Sequence, residues 1–312
     1  MIGDTASGRI RGGFLGHAVG DALGFPYEGR SREEMRTHPV EGLPPDPVLS
    51  DDTAMVICTA ESLCERGEDV EDVAKRFLSW LHAGECTPHG KAVGVGRATS
   101  RALKRIASGV PPSEAGGREE RDNGNGSLMR MLPLVFYLYG EGDSRVLEVV
   151  RAYSSITHAH PRSILGCHLY VLLGMALYGG LSIPEAYETA VAKVKAVWRG
   201  HPETIHYRRV LSGEIASLPE GEIVSSGYVV HTVEAAFWVL LRTRSFREAV
   251  LKAVSLGGDT DTTAAVVGGL AGIHYTASSI PRGWVERLPM RERIEALAGC
   301  FSRRWGKRKG TF

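Results

Sequence analysis

Residues 257–273 read GGDTDTTAAVVGGLAGI, and this stretch sets the class of fold that the chain can adopt. After two glycines, acids and threonines occupy the places where a helix begins, and small apolar residues fill the turns that follow. Gly268, Gly269 and Gly272 lie inside this otherwise helical run, where each costs roughly 1 kcal/mol relative to alanine. Close approach of a second helix would explain these glycines, and so would simple packing.

Helical periodicity continues along the rest of the chain. Apolar residues recur at helical spacing in 70–81, 146–153 and 249–254. No Asn-Gly or Asp-Gly pair stands between alternating residues, so no hairpin is expected. Residues 228–230 could form a strand or a buried helix, because periodicity cannot separate the two in so short a run. The sequence therefore predicts an all-α protein.

Two irregular segments interrupt the helical pattern. Residues 38–50 contain four prolines, which forbid a continuing helix, and residues 107–127 are rich in proline and glycine. Neither segment has the character of a domain linker, because a motif of functional residues lies at the end of each. We expect one domain over residues 1–312, with its motifs between about 10 and 275 and a solvated basic tail at 303–312.

Charge and hydropathy exclude several classes of protein. The 37 basic and 36 acidic residues nearly cancel, so no global field indicates a stable nucleic-acid partner or a membrane surface. A composition of 43% hydrophobic and 23% charged residues supports a buried core. No apolar run is long enough to span a bilayer, and no signal peptide is evident.

The five cysteines indicate a reducing compartment. Their number is odd and no pair has CxxC spacing, so we expect neither a disulfide framework nor a zinc site. Cys58 and Cys64 lie in an apolar helical stretch, where a buried free thiol is the default. We therefore predict a cytoplasmic protein.

Two acidic clusters carry the functional argument. Residues 50–53 read SDDT, residues 259–262 read DTDT, and each cluster precedes a helical run. Serine, threonine and aspartate cap helices, and acids near a helix start interact favourably with the helix dipole. Capping needs one such residue, whereas each cluster offers two acids beside a hydroxyl. From these residues alone, both capping and metal binding remain open.

Metal binding would follow if the two helix starts met in space. Four carboxylates in one small volume would repel one another, and two divalent cations would neutralise them. Such hard oxygen ligands suit Mg²⁺, Mn²⁺ or Ca²⁺ and do not suit zinc. Neither cluster contains a histidine, which argues against a two-metal phosphoesterase.

Six segments together resemble the ADP-ribosylglycohydrolase family. They follow one another in the family's order, which makes the resemblance far more specific than any single match. The segments are LGHAVGDALGFPYE at 15–28, SDDTAM at 50–55, NGNGSLMR at 123–130, THAHP at 157–161, SGYVVHTVEAA at 226–236 and DTDT at 259–262.

The resemblance implies an all-α orthogonal helical bundle with a two-metal site in a central cleft, holding Mg²⁺ or Mn²⁺. The implied activity is metal-dependent removal of ADP-ribose from an ADP-ribosylated acceptor. By position, the metal ligands would be Ser50, Asp51, Asp52, Asp259, Asp261 and Thr262. The catalytic residues would be Glu28, Asp52 and Asp261, and the substrate-binding residues would be Asn125, Gly126, Ser127 and His158.

Elementary chemistry is consistent with these assignments. Glycosidic cleavage passes through an oxocarbenium-like state, and Glu28 could take a proton from the attacking water. The turn 124–127 offers N–H groups to a pyrophosphate, although an ordinary flexible turn would have the same sequence. His158 could donate to a phosphate oxygen or be structural. We interpret Asp21, which follows a glycine inside a small-residue helix, as structural.

One position departs from the family pattern and bears on the acceptor. Gly94 stands where many arginine-directed members carry an aspartate that could pair with a guanidinium, and Arg97 lies close by. This departure argues against arginine specificity and leaves the metal motifs untouched. The acceptor could be a protein, a nucleic acid or a small conjugate such as O-acetyl-ADP-ribose. A binding protein for ADP-ribose without turnover is the main alternative.

Overall fold

Helices make up the regular structure of the chain. In this computed structural model, residues 2–306 are described, and they contain α-helices, short 3₁₀ turns and two isolated β-bridges but no strand. The prediction of an all-α protein is confirmed. The helices are α1 (Ile2–Gly24), α2 (Arg32–Thr37), α3 (Asp51–Arg66), α4 (Val70–Ala83), α5 (Arg97–Ala107), α6 (Pro112–Ala115), α7 (Leu132–Tyr137), α8 (Asp143–Ser155), α9 (Pro161–Tyr178), α10 (Ile183–Val197), α11 (Arg208–Ser212), α12 (Val229–Arg242), α13 (Phe246–Ser255), α14 (Thr260–Tyr275), α15 (Arg282–Glu286) and α16 (Arg291–Trp305).

The periodic segments fall where the sequence places them. The three apolar stripes lie in α4, α8 and α13. The ambiguous run 228–230 proves helical, because α12 begins at Val229 and its residues are buried along most of their length. Residues 38–50 contain no helix, whereas 107–127 includes the short helix α6 and a 3₁₀ turn at Glu120–Asp122.

Of the two explanations for the glycines of this helix, the structure shows close approach of another helix, and the partner is α1. A Cβ atom added to Gly16 would lie 2.3 Å from the carbonyl oxygen of Gly268. One added to Gly272 would lie 2.0 Å from the carbonyl oxygen of Gly12. No side chain fits at such distances, so the two backbones are in direct contact. These two helices form the centre of the core.

A disulfide between Cys64 and Cys300 contradicts the expectation that the cysteines are free thiols. It joins α3 to α16, and its two residues are separated by 236 positions in sequence. Local spacing carries no information about a pair brought together by helix packing, which is why the sequence argument failed. Cys58, Cys86 and Cys167 are free and buried, as expected for such residues.

The first residues of the predicted basic tail are helical, contrary to the expectation of a solvated tail. Arg303 and Arg304 belong to the last turn of α16, and Trp305 is buried against the rings of Phe301 and Tyr137. A single large apolar residue was enough to extend the helix into the basic run. Residues 307–312 lie outside the described part of the chain. Within residues 2–306, no helix combines the length and hydropathy that crossing a membrane would require.

We expect Gly268→Ala to lower the free energy of unfolding by about 2 kcal/mol. The added methyl would meet the carbonyl oxygen of Gly16 at 2.2 Å, and overpacking of this kind outweighs the gain in helix propensity. Denaturant unfolding followed by circular dichroism measures the change. Gly8→Ala in α1 is the matched control, because the nearest atom would lie 3.8 Å away. Equal stability of the two variants would contradict the close contact.

Candidate active site

The starts of α3 and α14 meet at one end of the α1–α14 pair. The hydroxyl of Thr262 donates to Oδ2 of Asp52 at 3.3 Å, across a sequence separation of 210 residues. Carboxylate oxygens of Asp21, Asp52 and Asp261 all lie within 4.8 Å of one another, and all three residues are buried. The geometric condition for a metal site, which the sequence left open, is therefore met.

Helix capping accounts for one cluster and fails for the other. Ser50 caps α3, since its hydroxyl accepts from the backbone N–H of Asp52 at 3.2 Å and donates to Oδ2 of Asp52 at 3.0 Å. Asp259 stands at the equivalent place before α14, but its carboxylate makes no capping bond. It instead accepts from the side-chain amide of Asn125 at 2.7 Å. The carboxylate of Asp259 is thus turned toward the cleft rather than onto its own helix.

Asp21 fixes the start of α3 and belongs to the acidic cluster as well. It accepts from the backbone N–H of Ser50 at 3.0 Å, from that of Thr53 at 3.2 Å and from the hydroxyl of Thr53 at 2.5 Å. These bonds support the structural interpretation made from the sequence. Because its oxygens also lie beside those of Asp52 and Asp261, Asp21 adds negative charge to the site.

Burial makes this concentration of charge unfavourable in the absence of a cation. Desolvation, with neighbouring carboxylates, raises the pKa of Asp51 and Asp52 well above the ordinary value. The same causes raise the pKa of Asp261 to about 9, and burial raises that of Asp21 to about 6. Oδ1 of Asp52 is buried and has no hydrogen-bond partner. An orphaned carboxylate oxygen among hard ligands fits a divalent cation.

Glu28 lines the cleft beside the acidic cluster. Its loop is tied to the residue before Asp259 by two backbone hydrogen bonds, from Gly29 N–H to the Gly258 carbonyl at 2.8 Å and from Gly258 N–H to the Arg30 carbonyl at 2.7 Å. Burial and the charge of Asp259 raise the pKa of Glu28. The carboxylate is therefore placed in the cleft by the same turn that positions Asp259.

The glycine-rich turn predicted to bind substrate forms a wall of the same cleft. Gly124 and Gly126 face His158, and a Cβ atom on Gly126 would lie 3.0 Å from Cε1 of that ring. The turn is fastened through the backbone N–H of Asn125, which donates to the Gly227 carbonyl at 3.0 Å. The absence of side chains lets the imidazole of His158 pack against the backbone of this wall.

Ser127 is placed differently from the other three predicted substrate residues. Its side chain is fully buried, and its hydroxyl bonds with that of Ser154 at 2.9 Å and approaches Sγ of Cys167 at 3.4 Å. The hydroxyl faces the core behind the turn, so only the main chain of Ser127 is near the cleft wall. The sequence could not reveal this orientation, because serine is common on both sides of a turn.

His158 is held rigidly with a neutral ring. Nδ1 is 2.7 Å from the hydroxyl of Thr157, and the residue forms a β-bridge with Gly117. Burial and the nearby guanidinium of Arg130 lower the pKa of His158 to about 3. The imidazole is therefore uncharged near neutral pH, and it can take part in one hydrogen bond to a ligand through Nε2.

Arg130 is a residue that the sequence analysis did not single out. Its buried guanidinium donates to the Gly126 carbonyl at 2.6 Å and to the Tyr153 carbonyl at 3.0 Å, and it lies over the ring of Phe77. It holds the glycine-rich turn from the side that faces the core. A single arginine inside the apolar run 128–136 was the available signal, since an unpaired charge is rarely tolerated there.

Gly94 packs directly against Asp51 of the acidic cluster. Its φ of 77° is in the left-handed region, and a Cβ atom there would lie 2.6 Å from Oδ1 of Asp51. An aspartate at this position would need both a different backbone and a displaced Asp51. The departure noted in the sequence is therefore coupled to the shape of the acidic cluster.

These residues surround one cleft of about 640 Å³. Five of the predicted metal and catalytic residues line it, together with the glycine-rich turn and three exposed arginines. The acidic lining consists of Glu28, Asp51, Asp259, Asp261 and Thr262, the turn contributes Gly124, Asn125, Gly126 and His158, and the arginines are Arg97, Arg101 and Arg121.

Comparison with known proteins agrees with the geometry. The model of the family described as ADP-ribosylglycohydrolase matches residues 3–310. The chain belongs to the ADP-ribosylglycohydrolase family. The family resemblance and the predicted hydrolase are thereby confirmed, and an enzyme that removes ADP-ribose from an ADP-ribosylated acceptor is favoured over a binding protein without turnover.

Individual relatives cover nearly the whole chain. ADP-ribosylarginine hydrolase Tri1 of Serratia proteamaculans (strain 568) is 30% identical over 93% of this chain and 78% of its own length. The ADP-ribosyl-[dinitrogen reductase] glycohydrolase of Rhodospirillum rubrum is 30% identical over 95% of this chain and 98% of its own. A solved structure titled "ADP-ribosylglycohydrolase-related protein complex" has a TM-score of 0.79 and 36% identity, covering 96% of this chain and 99% of that one.

Without metal, this ADP-ribosylglycohydrolase should lose stability as the pH rises from about 5 to about 9. The unfolded chain ionises Asp261 at an ordinary carboxyl pKa, whereas the folded site keeps the proton up to a pKa of about 9. The folded state therefore holds the extra proton throughout this window, and raising the pH favours unfolding. Thermal unfolding with chelator at several pH values measures the trend.

The control for this pH dependence is Asp261→Asn, which removes one titrating group and should make the decline shallower without abolishing it, because the pKa values of Asp51 and Asp52 are also raised. Added Mn²⁺ should restore stability at high pH, because the cation takes the place of the protons. A chelated enzyme that is more stable at pH about 8.5 than at pH about 5.5 would contradict this account of the site.

Proposed function

We propose that this enzyme hydrolyses the bond at the anomeric carbon of ADP-ribose with two divalent cations, Mg²⁺ or Mn²⁺. The observation that carries the proposal is the convergence of two helix starts on a buried carboxylate, Asp52, whose Oδ1 has no protein partner. The proposed ligands are Ser50, Asp51, Asp52, Asp259, Asp261 and Thr262. Bound cations would orient the ribose hydroxyls and acidify a water molecule.

The residues around the cations have distinct proposed roles. Asp52 and Asp261 belong to the catalytic set because they lie at the centre of the cluster. Glu28 is the base that takes a proton from the attacking water, and its raised pKa brings it closer to the pH at which the enzyme works. Its position on the loop tied to Gly258 keeps the carboxylate beside Asp259.

ADP-ribose binding is assigned to the glycine-rich wall. The backbone of Gly126 and the neutral ring of His158 would contact the pyrophosphate, and Asn125 would hold the wall against Asp259. Ser127 would contribute through its main chain alone, because its hydroxyl is bonded to Ser154. The pyrophosphate would then lie next to the carboxylates, because Asn125 in this wall is bonded to Asp259.

The proposed acceptor is an ADP-ribosylated protein. The relatives at about 30% identity are named for ADP-ribosylarginine and for dinitrogen reductase, which supports a protein substrate. We further propose that the enzyme acts in the cytoplasm, which the three free cysteines support and the Cys64–Cys300 disulfide does not. A panel of arginine-linked, serine-linked and nucleic-acid-linked ADP-ribose with O-acetyl-ADP-ribose, assayed with Mg²⁺ or Mn²⁺ and with chelator, identifies the linkage. Release that persists in chelator would overturn the metal-dependent mechanism.

Asp259→Ala should bind less metal and lose at least about 100-fold in turnover. The substitution removes a carboxylate that accepts from Asn125 and faces the cleft without capping α14, so the helix start should be little affected. Mn²⁺ content after dialysis and ADP-ribose release are the measurements. A variant that remains active with full metal occupancy would remove the central claim.

Glu28→Gln should keep its metal and lose about 100-fold in kcat. The amide preserves the shape of the side chain and cannot accept the proton from water. Because the pKa of Glu28 is raised, the acidic limb of the pH–rate profile should stand above the ordinary carboxyl value and disappear in the variant. Glu33→Gln on the exposed surface of α2 is the control and should be silent. Wild-type turnover by Glu28→Gln would exclude Glu28 as the base.

A further inference from the structure

Helix α5 presents a continuous basic face at the outer edge of the cleft. Its sequence contains no acidic residue, and Arg97, Arg101 and Lys104 recur at i, i+4 and i+7, which places them on one side of the helix. All three are exposed, whereas the opposite side, with Thr99 and Leu103, is buried. The face begins at the cleft, because Arg97 and Arg101 line it.

Arg121 extends this surface from a neighbouring segment. It is exposed in the 3₁₀ turn Glu120–Asp122 and lines the same cleft. The turn is held on both sides, by an ion pair between Asp122 and Arg101 and by the pairing of Glu120 with the buried Arg162. We call Arg97, Arg101, Lys104 and Arg121 the basic rim. Its position is set before any ligand arrives, which reduces the entropic cost of binding.

Most of the positive charge on the basic rim is not neutralised within the protein. Among residues 2–306, Arg101 has the ion pair with Asp122, and no carboxylate is paired with Arg97, Lys104 or Arg121. Glu120, the acid next to Arg121 in sequence, is engaged by Arg162 instead. Three cations are therefore available to a negatively charged partner.

The location of the basic rim assigns it to the acceptor rather than to ADP-ribose. Gly126, in the wall proposed to hold the pyrophosphate, is in contact with Thr99 on the buried side of α5. Arg97 and Arg101 project from the other side of that helix, toward solvent. Gly94, three residues before Arg97, lies against Asp51, so the start of α5 borders the carboxylates at which the proposed cleavage frees the acceptor.

We propose that the basic rim recognises acidic side chains flanking the modified residue of a protein substrate, an inference that rests on the proposed function. Three unpaired cations match a short acidic segment. Proteins that bind duplex DNA commonly make about 6 to 10 phosphate contacts, and the net charge of this chain is only +1. Rim charges of this kind contribute to selectivity and association rate more than to tight binding.

The test compares two ADP-ribosylated peptides, made with the linkage that the substrate panel identifies, that differ only in having glutamate or glutamine on either side of the modified residue. Their dissociation constants are measured on the Glu28→Gln enzyme with Mn²⁺, so that hydrolysis does not limit the experiment. The acidic peptide should bind about tenfold more tightly at low salt, and the preference should shrink as salt screens the charges. Arg97→Glu combined with Arg121→Glu should abolish or reverse the preference.

Arg151→Glu on α8 is the matched charge reversal, because Arg151 is also an exposed helical arginine without an ion pair among residues 2–306. It should leave the preference intact. Equal affinity of the Glu28→Gln enzyme, with its basic rim intact, for both peptides would overturn the inference while leaving the proposed function standing. So would an equal loss of affinity for free ADP-ribose and for both peptides in the double variant, since the arginines would then bind the pyrophosphate.

Two further outcomes would contradict the inference or the proposed function. Tighter binding of an ADP-ribosylated oligonucleotide than of the acidic peptide would also overturn the inference, in favour of a nucleic-acid acceptor. If neither peptide nor free ADP-ribose binds, the proposed function itself fails. Failure of the inference and failure of the proposed function are therefore distinguishable. The inference can fail only when ADP-ribose binds measurably, whereas the proposed function fails when it does not bind.

Discussion

Backbone contact between α1 and α14 is the constraint on which the active site depends. Glycines spaced four residues apart on α1 lie against the main chain of α14, and the contact continues to the end of α1, where Gly24 meets Thr260 and Asp261. The two helices run antiparallel, so the last turn of α1, which carries Asp21, lies beside the first turn of α14. Any side chain in this contact would push the helices apart and separate the carboxylates that the cleft brings together.

The same contact explains why the acidic cluster is buried and why it needs a cation. Asp21 approaches from α1, Asp52 from α3 and Asp261 from α14, and all are sealed by helices on which small residues allow close packing. Burial is the largest cause of the raised pKa of each of these three carboxyls. The positive ends of the α3 and α14 dipoles point into the cluster and offset part of the repulsion. A pair of divalent cations would offset the rest, which is the chemistry that the proposed function requires.

Sequence predicted what depends on local chemistry. Close approach of another helix was one of two explanations for the glycines of α14. The acids exceeded the needs of capping, but metal binding stayed open until the two helix starts were seen to meet. The sequence could not predict what depends on distant packing. The Cys64–Cys300 disulfide joins helices 236 residues apart, and the hydroxyl of Ser127 faces Ser154 because α8 lies behind the turn. Arg130 was overlooked for the same reason, since its role appears only when the Gly126 carbonyl is placed against it.

Asn125 joins the two halves of the cleft into one unit. Its side-chain amide donates to Asp259 and to the hydroxyl of Thr232, while its backbone N–H donates to the Gly227 carbonyl. A shift of the glycine-rich wall would therefore pull on an acid of the acidic cluster, and a shift of Asp259 would disturb the wall. Because the proposed metal-assisted attack would require the ribose and the nucleophile to be held in fixed relation, this coupling would join the proposed binding surface and the acidic cluster into a single catalytic geometry.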